Sequence, residues 1–156
     1  MKKSSALISC LLLVAASLLG APLQEQNKAI AKRAFEEILS QGNYELAEQL
    51  YAKDFVNHGL HRNASLEEDQ AALKGWHQAF SDIAMLPQKL IAEGDLVAIY
   101  WIAHGTNTGT GNGLPATGKR FSLRGSTVCE LRDGKIKRVS DYWDMVTFLK
   151  QIGMMP

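Results

Sequence analysis

Only two cysteines, Cys10 and Cys129, occur in the 156 residues, and the first sits inside an apolar N-terminal run. Removal of that run would leave Cys129 alone, which excludes an internal disulfide. Net charge is +1, from 17 basic and 16 acidic residues. Charge of one sign is therefore too scarce to draw the chain to nucleic acid or to an anionic membrane. No Walker or GxGxxG stretch is present, no Cys/His group stands at metal-ligand spacing, and no segment repeats. These absences give no support to a bound nucleotide, a metal or any other cofactor. What remains is 46% hydrophobic and 21% charged, the composition of an ordinary globular chain. The length suits one domain, on the order of 100–150 residues.

The first 21 residues read as a secretory signal peptide. Lys2 and Lys3 precede an apolar run from Ala6 to Leu19, followed by the small residues Gly20 and Ala21. The run is short for a membrane span. Cleavage after Ser17 or near Ala21 fits, although Pro22 disfavours a cut directly before it. "LISC" resembles a lipobox ending at Cys10, but apolar residues continue past that cysteine. An uncleaved anchor is the other alternative. The expectation is export, to the periplasm or outside the cell, with residues 22–156 as the mature domain and no membrane contact after cleavage.

Helices come first in that domain. "NKAIAKRAFEEILSQGNYELAEQLYAKDF" places Ile30, Ala34, Phe35, Ile38 and Leu39 at helical spacing. Gly42 ends that helix and a second one runs to about Ala52. "SLEEDQAALKGWHQAFSDI" opens with Ser65 as N-cap and Glu68 three residues later, a capping box, and its apolar side carries Ala72, Leu73, Trp76 and Phe80. From Leu86 onward the pattern alternates. One hairpin turns at Glu93-Gly94-Asp95 and another at Asp133-Gly134. Helices followed by strands predict an α+β fold: a curved antiparallel sheet, cone-shaped, with the N-terminal helices packed on it around one apolar cavity. Cys129 alternates with Thr127 and Leu131, as a small core residue does.

The stretch "AEGDLVAIYWIAHGTNTGTGNGLPATGKRFSLRG", with "ELRDGKI" and "DYWDMVTFLKQIG" after it, resembles the SnoaL-like polyketide cyclases, also called ester cyclases, of the nuclear transport factor 2-like fold. The likeness runs from about Asn27 to Gly153. It is most specific from Gly105 through Gly109 to Pro115, Thr117, Gly118 and Lys119. "FVNHG", from Phe55 to Gly59, is similar to the family's early strand and puts His58 at the cavity mouth. The resemblance implies intramolecular aldol chemistry on a polyketide ester, an aspartate as acid/base, no cofactor, and a homodimer through the sheet. It carries the family's aspartate onto Asp141 and a second acidic position onto Asp144. Two departures stand out: Ser140 replaces the tryptophan that often precedes the first aspartate, and Asn107 replaces a frequent histidine.

The chemistry needs a base beside a carbon next to a carbonyl, and a donor for the oxyanion that develops. Asp141 is the candidate base, with His104 as its catalytic partner and His104, Asn107 or Tyr100 as oxyanion donors. His58, Trp76, Tyr100, Asn107, Trp143 and Asp144 are the candidate ligand-binding residues around a small apolar or aromatic molecule. Each has a plainer reading. Asp144 precedes "MVTFLKQI" and would N-cap a last helix; Asp141 would be a strand-edge charge. The histidines would be structural, the aromatic residues core filling, and Arg124 a solvated charge. Strand phase also divides the two aspartates, because residues three apart face opposite sides. A two-residue Asp133-Gly134 turn pairs Leu131 with Ile136, and that register places Asp144, rather than Asp141, on the apolar face. A bulge would reverse the assignment. Three functional readings follow: a cofactor-independent cyclase or isomerase acting on a carbonyl compound, a non-catalytic carrier of a small hydrophobic ligand, and an interaction module built on the sheet.

Overall fold

Six strands form one sheet in a computed structural model that describes residues 22–59 and 62–156. The signal-peptide segment, Cys10 and the cleavage site lie outside the described residues. The chain begins with α1 (Leu23–Arg33), which runs on into a wider π-helical stretch, Ala34–Ser40. Gly42, at φ +69°, stops it. A 3₁₀ turn (Tyr44–Leu46) and the short α2 (Ala47–Leu50) follow. The expected second helix gives way to strand at Tyr51, a residue earlier than Ala52. Next come β1 (Tyr51–His58), β2 (Asn63–Ser65), α3 (Leu66–Ala79), β3 (Ala84–Glu93), β4 (Leu96–Thr106), β5 (Arg120–Arg132), β6 (Lys135–Trp143) and α4 (Met145–Gln151).

The sheet order is β2-β1-β6-β5-β4-β3. Every pairing is antiparallel but one: β1 lies parallel to β6, which corrects the expectation of an all-antiparallel sheet. That pairing is non-local, across the α3–β5 segment, so no turn signal announces it. The sheet is curved and unclosed, with helices packed against it. Residues Val97, Ile99, Trp101 and Ala103 of β4 and Phe121, Leu123, Thr127, Cys129 and Leu131 of β5 are buried on one face. Their outward neighbours are polar or at least partly exposed, the alternation of a half-buried sheet. Ala31, Ala34, Phe35 and Ile38 of the first helix close the other side of this core. Pro87 sits in β3, at the sheet's edge, where a missing N–H costs least.

Two irregularities position the site. Asp133 and Gly134, at φ +51° and +71°, make the tight turn that pairs Arg132 with Lys135 and Leu131 with Ile136. One step later the register shifts: Glu130 faces Arg138, so Lys137 is an extra, bulged residue. Beyond it Val139, Asp141 and Trp143 take the inner face opposite Cys129, Thr127 and Gly125. The second device is Gly125. A Cβ there would stand 2.3 Å from Trp101 Cζ2, so the glycine makes the room in which the indole lies across the strand.

The α3 helix starts as expected. Ser65 Oγ accepts from the Glu68 N–H, and the Ser65 N–H donates back to Glu68 Oε2 at 2.9 Å. Its far end meets the glycine-rich segment after β4. A Cβ on Gly109 would lie 2.1 Å from Gln78 O, and one on Gly111 2.0 Å from Gly75 O, so the loop rests its backbone directly on the helix. Among the described residues no helix is long and apolar enough to cross a membrane.

Candidate functional site

The inner face of the sheet and the helices enclose a cavity of about 280 Å³. Its wall is apolar and strongly aromatic: Phe35, Phe55, Trp76, Trp101, Trp143 and Phe148 all border it. Trp76, Trp143 and Phe148 meet edge to face, with ring centroids 5.6–6.5 Å apart, and close one end. Polar groups gather in one cluster formed by Asn57, Asp69, Thr127 and Asp141, with Tyr51 beside them.

This cluster is built from four elements. On β6 the bulge at Lys137 turns Asp141 inward. On β5 Thr127 stands directly opposite and donates its hydroxyl to Asp141 Oδ1 at 2.5 Å. Thr127 Oγ1 in turn accepts the indole N–H of Trp101 at 3.0 Å, which aims the hydroxyl hydrogen at the carboxylate. On β1 the Asn57 amide Nδ2 donates to Asp69 Oδ1 at 2.7 Å and reaches Asp141 Oδ2 at 3.4 Å. On α3 Asp69 lies one turn before Leu73 and two before Trp76, on the helix face that borders the cavity.

Asp141 keeps accessible surface, but it is a cavity-lining group closely surrounded by protein. Burial disfavours its charged form and raises its pKa, against the pull of the Thr127 and Asn57 hydrogen bonds. Burial likewise raises Asp69, partly countered by Asn57 and reinforced by the neighbouring charge of Asp141. Tyr51 is buried and held well above the ordinary phenol value, chiefly by burial and then by Asp69. Its hydroxyl makes no hydrogen bond among the described residues. The Cys129 thiol is pushed up to about 12 by burial and by Asp141, so it is a protonated wall atom and not a nucleophile. No group of side chains among the described residues could hold a metal ion.

Of the residues singled out in the sequence, Asp141, Trp76 and Trp143 come together at the cavity. The others do not. His104 and Tyr100 occupy even positions of β4, whose odd positions face inward; both point to the outer face of the sheet. His58 is exposed at the end of β1 and pairs with Asn63 Oδ1. Asn107 is fully buried, but away from the cavity. Its Nδ2 donates to Ala79 O and Gly109 O, and its Oδ1 accepts from the N–H and hydroxyl of Thr117, so it pins the glycine loop to the end of α3. Asp144 caps α4: Oδ1 accepts from the Thr147 N–H at 2.9 Å and Oδ2 from its hydroxyl at 2.6 Å. These hydrogen bonds hold its pKa low.

Asn57, Asp69, Thr127 and Tyr51 are not among the site residues the sequence singles out, although the first three carry a signal. Asp69, Leu73 and Trp76 share a helical stripe, and an acid on an apolar stripe is unusual. Asn57 follows Phe55 at strand period, and Thr127 precedes Cys129 and Leu131 at the same period.

Comparison with known proteins agrees with this architecture. Residues 29–152 match the SnoaL-like polyketide cyclase family. Nogalonic acid methyl ester cyclase of Streptomyces nogalater is 34% identical over 100 residues, covering 63% of this chain and 72% of that protein. Among solved structures, a SnoaL-like protein of Jannaschia sp. CCS1 superposes with a TM-score of 0.79 at 19% identity, over 87% of this chain and 97% of the other. IdmH of Streptomyces antibioticus gives 0.72 at 26% identity, over 82% and 99%. The chain belongs to the SnoaL-like polyketide cyclase family and has its nuclear transport factor 2-like fold.

Proposed function

We propose that the protein is a cofactor-independent cyclase or isomerase that moves a proton at a carbon beside a carbonyl, with Asp141 as the base. The observation that carries this reading is the Trp101–Thr127–Asp141 relay at the wall of an aromatic cavity. A carboxylate there is poorly solvated, so it is a stronger base than one in water. The two hydrogen bonds fix which oxygens are engaged and leave the group oriented. Trp76, Trp143 and Phe148 would hold the apolar body of the ligand. The first ester to assay is the one named by the 34% identical relative, nogalonic acid methyl ester. Asp141→Asn keeps size and hydrogen bonding but removes basicity, so turnover should fall about 10²–10⁴-fold with ligand affinity little changed. Unchanged turnover would sink the base assignment.

The carrier reading retains one point in its favour: among the described residues no histidine borders the cavity. Ligand recovered from the purified native protein, and no turnover from wild type or variant, would decide for it. Export belongs to the same proposal, on the strength of Lys2, Lys3 and the apolar run to Leu19. N-terminal sequencing from the native host should find a start between Leu18 and Leu23; an intact Met1 or a lipid-bearing Cys10 would contradict it.

A further inference from the structure

We propose that Asp69 is the proton donor that completes the site, sharing one proton with Asp141 across the Asn57 amide. This rests on the reading of Asp141 as base. The two carboxyl groups come from different elements, α3 and β6, yet touch the same nitrogen, Asn57 Nδ2. Both border the cavity. Like charges so placed in a poorly solvated pocket resist being ionised together, so one proton is retained by the pair.

The surrounding groups decide where the charge rests. Asp141 accepts the Thr127 hydroxyl at 2.5 Å as well as the long contact from Asn57. Asp69 accepts only the Asn57 amide, through Oδ1, and its Oδ2 has no hydrogen-bond partner among the described residues. The negative charge is therefore better held on Asp141, and the proton on Asp69 Oδ2. No compensating cation intervenes: among the described lining residues there is no lysine, arginine or histidine. Tyr51 on β1 and Cys129 on β5, the other titratable groups on the wall, are both held neutral by burial, and Thr127, Asn57 and Trp101 carry no charge.

The chemistry closes on this arrangement. Asp141 takes the proton from carbon, the C–H electron pair forms the carbon–carbon double bond of the enol, and the carbonyl oxygen takes the Asp69 proton. Asp69 is then the carboxylate and Asp141 the acid, so the pair carries one negative charge before and after. In the return half, Asp69 recovers the enol proton as the carbon attacks an electrophilic carbonyl. That second oxygen takes the proton from Asp141. A carbon–carbon bond has formed, a hydroxyl has replaced a carbonyl, and both side chains are restored. A cavity that never holds two charges avoids the cost of burying the second.

The test reads the proton directly and then its use. In the intact protein labelled with ¹³Cγ-aspartate, Asp69 should titrate above the ordinary aspartate range, and Asp141→Asn should bring it down. An Asp69 in the ordinary range and indifferent to Asp141→Asn overturns the assignment, whatever the activity. Deuterium exchange at the α carbon of 2-tetralone then gives a pH profile. In the wild type the rate falls on the alkaline side as Asp69 ionises. Asp69→Asn keeps an acceptor for Asn57 yet cannot release a proton, so its rate should drop about 10²-fold and lose that alkaline limb. An unaltered limb means Asp69 only positions Asn57, which overturns the donor role. If the wild type exchanges nothing while the shared titration is intact, the base reading of Asp141 fails, and the donor step fails with it.

Discussion

Asp141 and Asp69 both pull the native state in a direction opposite to that of ordinary surface acids. Each has a folded pKa above its unfolded value, chiefly through burial. The native state therefore binds their protons more tightly than the unfolded state does. Their contribution to stability is greatest in acid, below the ordinary aspartate value of about 4, and is lost as pH rises through the raised folded values. At neutral pH the retained charge is a cost. Asp141→Asn and Asp69→Asn should each raise Tm at pH 7, and the gain should vanish toward about pH 3; thermal melts across that range test the sign. An equal gain at every pH would mean that packing, and not ionisation, was responsible. Asp144 works the other way. Its pKa is lowered by Thr147, so its stabilisation is present above the unfolded value and fades as pH falls through the folded one. Asp144→Ala should lower Tm at neutral pH and leave the cavity untouched.

One inserted residue on β6 decides which aspartate faces the cavity. Deleting Lys137 would remove the bulge but, because the extra residue is the one lost, keep Asp141 opposite Thr127 on the inner face. The ¹³C titration of Asp141 should then stay raised, whereas one alanine inserted between Val139 and Ser140 would carry Asp141 opposite Ser126 on the outer face, return its titration to the ordinary aspartate range and abolish turnover. Lys137→Ala is the control, since it removes the ion pair with Asp54 but keeps the residue count; it should leave both intact. Here the limits of sequence become physical. Alternation, the Ser65 capping box and the Asp133-Gly134 turn are local patterns, and they made the helices and hairpins of this fold legible. A bulge leaves no local mark: Lys137 is as natural in a regular strand as in an irregular one. Counting from the turn therefore favoured Asp144, and only the family resemblance pointed to Asp141. The same limit explains Tyr100, His104 and Asn107. They lie in the stretch that carries the likeness, yet β4 turns its odd positions inward, and Asn107 spends its polar atoms on the glycine loop and the end of α3. Asn107→Ala should cost stability, about 1–3 kcal/mol for each buried partner left unpaired, as read by denaturant melts.

At the scale of the molecule, the cavity combines all three tryptophans with two carboxyl groups and, among the described residues, no cation. Trp76, Trp101 and Trp143 each border it, so intrinsic fluorescence reports occupancy of this space and little else. Its field selects against anions. A charge brought to about 4 Å from one carboxylate, at an effective dielectric constant near 20, meets a repulsion of about 4 kcal/mol. Aromatic bulk is welcomed by the same walls, so two probes of one ring system separate the effects. 2-Naphthol is uncharged across the useful pH range, and naphthalene-2-sulfonate is an anion throughout it. At pH 7 the naphthol should quench the tryptophans saturably and the sulfonate should bind at least about 10-fold more weakly, even after the discount that solvent entering the cavity applies to the Coulomb figure. Lowering the pH neutralises the protein's carboxyl groups and neither probe. The naphthol isotherm should therefore stay put while the sulfonate gains affinity, with a midpoint above the ordinary aspartate value because burial raises both groups. In Asp141→Asn the sulfonate should gain affinity at pH 7 as well. Equal binding of the two probes in the wild type, or a gap that ignores pH, would mean that the carboxyl pair does not face the ligand, and the catalytic reading of the cavity would fall with it.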